Sequence, residues 1–248
     1  MLGPRVPDEG QIALDEDTWL SPGSLDAARR AAGAVVRAVD MVLSGEVGNA
    51  FAAIRPPGHH AETAKPMGFC IFGNAALAAK HALDHHGLSR VAVVDFDVHH
   101  GNGTQDLLWN EPRALVVTSQ QVPLWPGTGE ASERGAHDNI LNVPLPPESD
   151  GAVMRSAYSG QVFPRLKAFQ PELIILSAGF DCHRDDPLAN LNWATEDYAW
   201  LTAELCKLAD ELCGGRVVST LEGGYDLKAL AASAKAHVEE LVRAASDD

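Results

Sequence analysis

The sequence predicts an α/β fold in three layers, α/β/α, around a mostly parallel central sheet. Three observations carry that reading. Strand-like and helix-like segments alternate along the chain; the strands are continuous apolar runs such as VAVV (91–94) and LIIL (173–176); and the polar clusters fall just beyond the ends of those runs. Continuous apolar strands are buried on both faces, the habit of a parallel sheet covered by helices. Such sheets bind ligands at the carboxyl ends of their strands, so segments distant in sequence are expected to meet in one crevice.

The elements follow in order. Ala-rich periodicity predicts a helix over 24–44, with Ser21 or Ser24 as cap and Gly45 as stop. A short strand over 50–54 runs into Arg55-Pro56-Pro57-Gly58, and a helix over 74–86 precedes the strand 91–94. A short helix near 104–109, a strand over 114–118 and a long irregular stretch over 120–139 come next. A short strand over 140–143 leads to a helix over 151–168 and a strand over 173–176. A helix over 195–212, a strand over 216–220 and a helix from Asp226 towards Ala245 complete the pattern. Nothing in it orders the strands.

With 248 residues, 46% hydrophobic, residues 1–248 suit one globular domain with a substantial core. The net charge of -15 argues against nucleic acid or an anionic membrane as partner and mildly favours cationic ligands. Four scattered cysteines with no Cys-x-x-Cys pair argue against a disulfide framework and for a reducing cytoplasm. Residues Met1 to Gly10 show no leader pattern, and no apolar run approaches the roughly 20 residues of a membrane span.

Ten histidines would give roughly 0.4 adjacent pairs by chance. Three occur: His59-His60, His85-His86 and His99-His100. His85-His86 ends a helical pattern before Gly87, where the helix dipole is reason enough for it. Asp97 and His99 leave a buried strand at i and i+2 and share a face. With Asp181, at the end of LIILSAGFD, they make an Asp-His-Asp set suited to catalytic zinc, or to Fe²⁺. Taken alone, Asp95 reads as a helix cap. His59 and His60 are candidates for general acid and base, with Asp95 and Asn102 placed to fix their rings. Tyr225, after Glu222-Gly223-Gly224, could bring a phenol to a developing oxyanion.

These residues sit in six segments: RPPGHHA (55–61), GFCIFGNAA (68–76), VDFDVHHGNGTQ (94–105), PGTGE (126–130), LSAGFDCHRDDP (176–187) and LEGGYD (221–226). Together, and in this order, they resemble the histone deacetylase superfamily, nearest its class II branch and the bacterial acetylpolyamine amidohydrolases and acetoin-utilisation proteins. The resemblance implies the arginase-deacetylase fold and hydrolysis of an N-acetylated amine, an acetyl-lysine side chain or a small acetylated amine, to amine and acetate. It implies zinc on Asp97, His99 and Asp181, His59 and His60 as the tandem catalytic histidines, and Tyr225 polarising the carbonyl. Asp95 orients the first histidine, and Asn102 stands where other branches have a second carboxylate. The resemblance further implies Phe69 as one aromatic wall of an acyl-lysine tunnel, with Trp125 near where the other is expected and Gly68 and Leu188 as substrate-binding neighbours, and Asp95, Asp97, His99 and Ser119 match part of a structural potassium site.

Departures refine the expectation. Gly101 stands where the arginase branch has an Asp bridging two manganese ions, so a dinuclear site is disfavoured. Tyr225 is retained where some class II relatives with poor activity on acetyl-lysine carry His. Leu188 follows Asp186-Pro187 where polyamine-selective class II relatives have a Glu, which shifts the expectation towards acetyl-lysine, with acetylpolyamine as the alternative. Against the resemblance the chain is short before Ser24 and lacks a His-Pro-Glu segment. A missing strand there would expose an edge that a homo-oligomer could cover. The competing class is a non-catalytic acetyl-amine-binding or scaffold protein.

Overall fold

In the computed structural model of the chain, residues 7–246 are described. The first six residues of the Met1–Gly10 segment lie outside them. The strands are β1 (Ile12–Ala13), β2 (Trp19–Leu20), β3 (Asn49–Ala52), β4 (Val91–Asp95), β5 (Ala114–Gln121), β6 (Ile140–Leu145), β7 (Leu173–Ala178) and β8 (Val217–Leu221). The helices are α1 (Ser24–Leu43), α2 (Asn74–Asp84), α3 (Asn102–Leu108), α4 (Gly151–Ala157), α5 (Phe163–Phe169), α6 (Thr195–Cys213) and α7 (Leu227–Ser246). Strands β3 to β8 form one sheet in the order β3-β8-β7-β4-β5-β6, with every neighbouring pair parallel.

Successive side chains of a strand point to opposite faces, and here both faces are apolar. Val91 and Val93 pack with Val35 and Val39 of α1 and Ala75 and Ala79 of α2. Ala92 and Val94 pack into the other core with Met154, Leu166, Leu201 and Leu241 of the helices that follow β6. Three layers result, as the continuous apolar runs predict.

The differences from expectation are local. The Ser21 or Ser24 cap of α1 is replaced by Gly23, in the left-handed region at φ 84°, and the Ser24 hydroxyl instead accepts the Ser21 N–H. The helix expected over 151–168 is interrupted by a π turn, Tyr158–Val162, which lets both Tyr158 and Val162 face the core. Strand β5 continues to Gln121 and β6 to Leu145. The latter includes exposed Pro144, tolerated because β6 is an edge strand. The two-residue strands β1 and β2 pair with each other and are too short to leave a periodic signal.

His237 of α7 is wholly buried among the rings of Phe51, Phe96 and Phe180. The single Thr202 hydroxyl proton goes to the Tyr198 carbonyl, so His237 Nδ1–H donates to Thr202 and Nε2 accepts from Ser219. Burial pushes its pKa down to about 3. The unfolded chain takes up this proton near pH 6.5, so the stability it confers is complete above that value and is lost as pH falls towards 3. The advantage of the parent over His237→Gln in urea unfolding is expected to shrink by about 1 kcal/mol between pH of about 7 and about 5.5. An advantage that does not change with pH would contradict this account.

Candidate active site

Strand order decides which loops meet. Strands β4, β7 and β8 are adjacent, with Asp95 level with Ser177 and Ala178 level with Leu221. The segments after them therefore emerge side by side. Strand β3 lies next to β8, and the loop beyond it is tied down by Glu222, whose Oε2 accepts the N–H of Gly58 (2.7 Å) and of His59 (3.1 Å). Its other oxygen accepts the Ser177 hydroxyl at 2.9 Å, and burial pushes the carboxyl up to about 7.

The two histidines on that loop are buried and their rings are 3.9 Å apart between centroids. His59 Nδ1 lies 3.0 Å from Asp95 Oδ2. His60 Nδ1 lies 2.7 Å from Asn102 Oδ1, while the Asn102 amide donates to Glu62 at 2.7 Å. With the Asn102 oxygen accepting, His60 carries its proton on Nδ1 and keeps Nε2 free as a base. Burial opposes a charge on His59, but Asp97 and Asp95 outweigh it and hold its pKa well above the usual histidine value. Burial and neighbouring His59 hold His60 well below it.

Asp97, His99 and Asp181 converge as expected, their donor atoms all within 4.8 Å of one another. His99 Nδ1 lies 3.0 Å from Asp97 Oδ1 and 3.1 Å from Asp181 Oδ2. The remaining oxygens are fixed by backbone: Asp97 Oδ2 accepts from Gly223 N at 2.8 Å and Asp181 Oδ1 from Val98 N at 2.9 Å. Burial and the Asp97 charge push Asp181 up, and against burial the two carboxylates push His99 up. Among the described residues no Lys or Arg reaches either carboxylate, and histidines are their only ion-pair partners. Two buried carboxylates beside His99, with His59 near Asp97 as the one further counter-charge among the described residues, fit a divalent cation with oxygen and nitrogen ligands.

At residue 101 a Cβ would overlap the Asp95 carboxylate, so the side chain of a second metal ligand has no room there. Ser119 is buried, and its hydroxyl lies 2.8 Å from that of Tyr158.

A pocket of about 250 Å³ opens over this cluster, lined by Asp17, His60, Gly68, Phe69, His99, Leu124, Trp125, Leu188 and Tyr225. His60 faces it; His59 is not among the lining residues. Phe69, Trp125 and Leu188 stand at the mouth, 44%, 43% and 48% exposed. Gly68, at φ 57°, passes so close that a Cβ would collide with the His60 ring and Trp125. Phe69 is itself in the left-handed region, at φ 65°, and its N–H donates to Thr18 Oγ1 at 3.1 Å. A bulky residue there costs roughly 1–2 kcal/mol, consistent with a ring position set by the pocket. Tyr225 packs its ring 6.1 Å from Phe69, and its N–H donates to Asp186 Oδ2 at 2.7 Å. Burial pushes the phenol upward, so it stays protonated. None of the hydrogen bonds among the described residues uses its hydroxyl.

His60, Gly68, Phe69, His99, Trp125, Leu188 and Tyr225 thus line one pocket, with His59 against His60 and Asp97 and Asp181 against His99. The histone deacetylase domain matches residues 4–241. The chain belongs to the histone deacetylase family. It is 45% identical to "Histone deacetylase 14, chloroplastic" of Arabidopsis thaliana, over 92% of this chain and 56% of that protein. It is 38% identical to the "Histone deacetylase-like amidohydrolase" of Pseudomonas aeruginosa, over 98% of this chain and 66% of that one. The crystal structure of the HDA15 HD domain superposes with a TM-score of 0.88 at 36% identity, covering 94% of this chain and 68% of that one. The arginase-deacetylase fold is thereby established. The chain spans little more than half the length of the Arabidopsis protein. No helix among the described residues is long and apolar enough to cross a membrane.

Sequence reasoning passed over several participants. Glu222 was visible only as part of a Gly-rich turn, and its role depends on backbone N–H groups 163 and 164 residues away. Asp17, at the pocket mouth, accepts the Gly68 N–H at 3.0 Å. Asp186 anchors both Leu188 and Tyr225 through their N–H groups. A long-range tie of side chain to backbone leaves no local pattern to read.

Proposed function

We propose that this domain hydrolyses the amide of an N-acetylated amine, an acetyl-lysine side chain or a small acetylated amine, to free amine and acetate, with zinc held by Asp97, His99 and Asp181. The observation that carries the proposal is one pocket onto which a free imidazole Nε2, an unpartnered phenol and a buried Asp-His-Asp cluster all converge. The same donor set suits Fe²⁺ as an alternative ion, and burial of Asp95 and Ser119 supports a potassium ion beside them.

Bound zinc would supply Lewis acidity towards the acetyl carbonyl and the attacking water. The protein supplies the rest. Phe69 and Trp125 enclose the acyl chain and keep bulk water from it. Tyr225, held protonated by burial, donates to the carbonyl oxygen as negative charge develops there. His60 Nε2 takes the proton of the attacking water and returns it to the leaving amine, while Asn102 holds the ring. His59, paired with Asp95 behind it, keeps positive charge next to the reacting atoms.

Leu188 at the mouth supports acetyl-lysine as substrate; Asp17 at the same mouth supports a cationic acetylpolyamine as second reading. A cytoplasmic location, a single domain and a homo-oligomer belong to the same proposal. To test it, zinc-loaded protein is given an acetyl-lysine peptide and, separately, an acetylpolyamine, and acetate is measured beside His60→Ala. The parent is expected to release acetate from at least one substrate, and the variant to fall by about 10²–10⁴-fold. No acetate from either would favour a non-catalytic binder; equal acetate from the variant would sink the mechanism.

A further inference from the structure

The His85-His86 pair at the end of α2 has a third histidine of that helix packed against it. His81 lies in the last turn of α2, with His85 four residues on and His86 beside it, just past the helix end. Residues at i and i+4 lie on one face of a helix, and the His81 and His85 rings stack with centroids 4.8 Å apart and planes 14° from parallel. The His86 ring stands edge-on to both, 5.1 Å from each. One nitrogen from each ring lies within 4.8 Å of the others. Across from them Asp40 of α1 offers a single oxygen, Oδ1, 2.7 Å from His81 Nε2 and 2.8 Å from His86 Nε2.

The geometry points to a second, separate metal site: a zinc ion bound by His81, His85, His86 and Asp40 at the junction of α1 and α2. Four such donors at bond lengths of about 2.0–2.2 Å are a usual zinc complement, and imidazole selects zinc, copper or nickel over magnesium or calcium. The three ring nitrogens need close by at most about 1.5 Å to reach tetrahedral spacing, and Asp40 Oδ1 already lies beside two of the rings; side-chain torsions can absorb this at a half-exposed surface.

A plain hydrogen-bonded brace between the helices accounts for His81 and His86, each donating to Asp40. It does not account for His85, whose ring has no hydrogen-bond partner among the described residues yet is stacked on the cluster. The third imidazole is the ligand a brace would not need.

The site is remote from the pocket. The segment after α2 leads into the amino end of β4 at Val91, whereas the pocket lies beyond the carboxyl ends of the strands. Zinc here would tie α1 to α2 and stiffen one outer layer without touching the reacting atoms. This does not depend on the proposed hydrolysis.

The test is stoichiometric. Untagged protein is saturated with Zn²⁺, freed of excess metal and analysed for zinc per chain by mass spectrometry. Parent protein is expected to hold two zinc ions and His99→Ala one. His81→Ala/His86→Ala should hold one with acetate release unchanged, and the triple variant none. Zinc should raise the unfolding midpoint of His99→Ala but not of the triple variant. His85→Ala, which costs the zinc-free fold no side-chain hydrogen bond, should weaken zinc in the His99→Ala background by more than the roughly 10–100-fold that an outer-shell partner is worth. A His99→Ala protein that binds no zinc, or whose zinc affinity is unmoved by His85→Ala and His81→Ala/His86→Ala, overturns the site.

Discussion

Tyr225→Phe is expected to lower kcat for acetate release by about 10²–10³-fold, with zinc content and unfolding midpoint unchanged. The reasoning is geometric. The Tyr225 backbone is held by the carboxylate of Asp186, and its ring packs near Phe69 at the pocket wall, neither of which requires the hydroxyl. The hydroxyl has no partner of its own among the described residues. A donor at the wall of a pocket with no protein partner is free for a ligand to claim, and the carbonyl oxygen of an amide held over the Asp-His-Asp cluster is such a claimant. Because the bond strengthens as that oxygen gains charge, its loss should appear in kcat more than in KM. A variant whose loss lay wholly in KM would reassign the phenol to ground-state binding, and one that lost zinc as well would make it part of the metal cluster's support.

How much of this could be read beforehand follows from where the signals lie. Asp95, Asp97 and Asp181 were legible because each stands where an apolar strand stops, and i, i+2 spacing on a strand fixes a common face. His59 and His60 were legible through an improbable pairing beside Pro and Gly. Strand order was not, because nothing within a strand names its neighbour. Yet the order β3-β8-β7-β4 is what puts Glu222 under the His59 loop. Asp40 and His81 show the same limit. Each is ordinary in its own helix, and only packing of α1 on α2 brings the carboxylate to the ring. The π turn at Tyr158–Val162 was hidden for another reason: it inserts into a helical pattern whose periodicity survives on either side.

Asp181→Asn should invert the order of stabilities between zinc-free and zinc-loaded protein. In the zinc-free fold, burial and the charge of Asp97 raise the Asp181 carboxyl above its unfolded value. An acid raised in this way destabilises the fold above its unfolded pKa, by about 1.4 kcal/mol for each unit of the shift. The penalty is absent at pH below about 4, grows as pH rises through the interval, and is constant beyond it. Asparagine keeps the oxygen that accepts the Val98 N–H and puts a neutral amide where the second carboxylate oxygen repels Asp97, giving up that oxygen's contact with His99 Nδ1, which keeps Asp97 Oδ1 as acceptor. Zinc-free Asp181→Asn is therefore expected to have the higher urea midpoint at pH of about 8, with a smaller advantage at pH of about 5. Zinc should reverse this, because the parent gains about 2.7 kcal/mol at a hundredfold excess over Kd while the variant has lost a charged ligand. Acetate release should fall in step with zinc content. Equal zinc-free midpoints at both pH values, or an equal gain from zinc, would show that the carboxylates are not opposed in the way their burial implies. The expected inversion has a structural logic: the repulsion between Asp97 and Asp181 that weakens the empty fold is the same interaction that gives a cation its affinity for it.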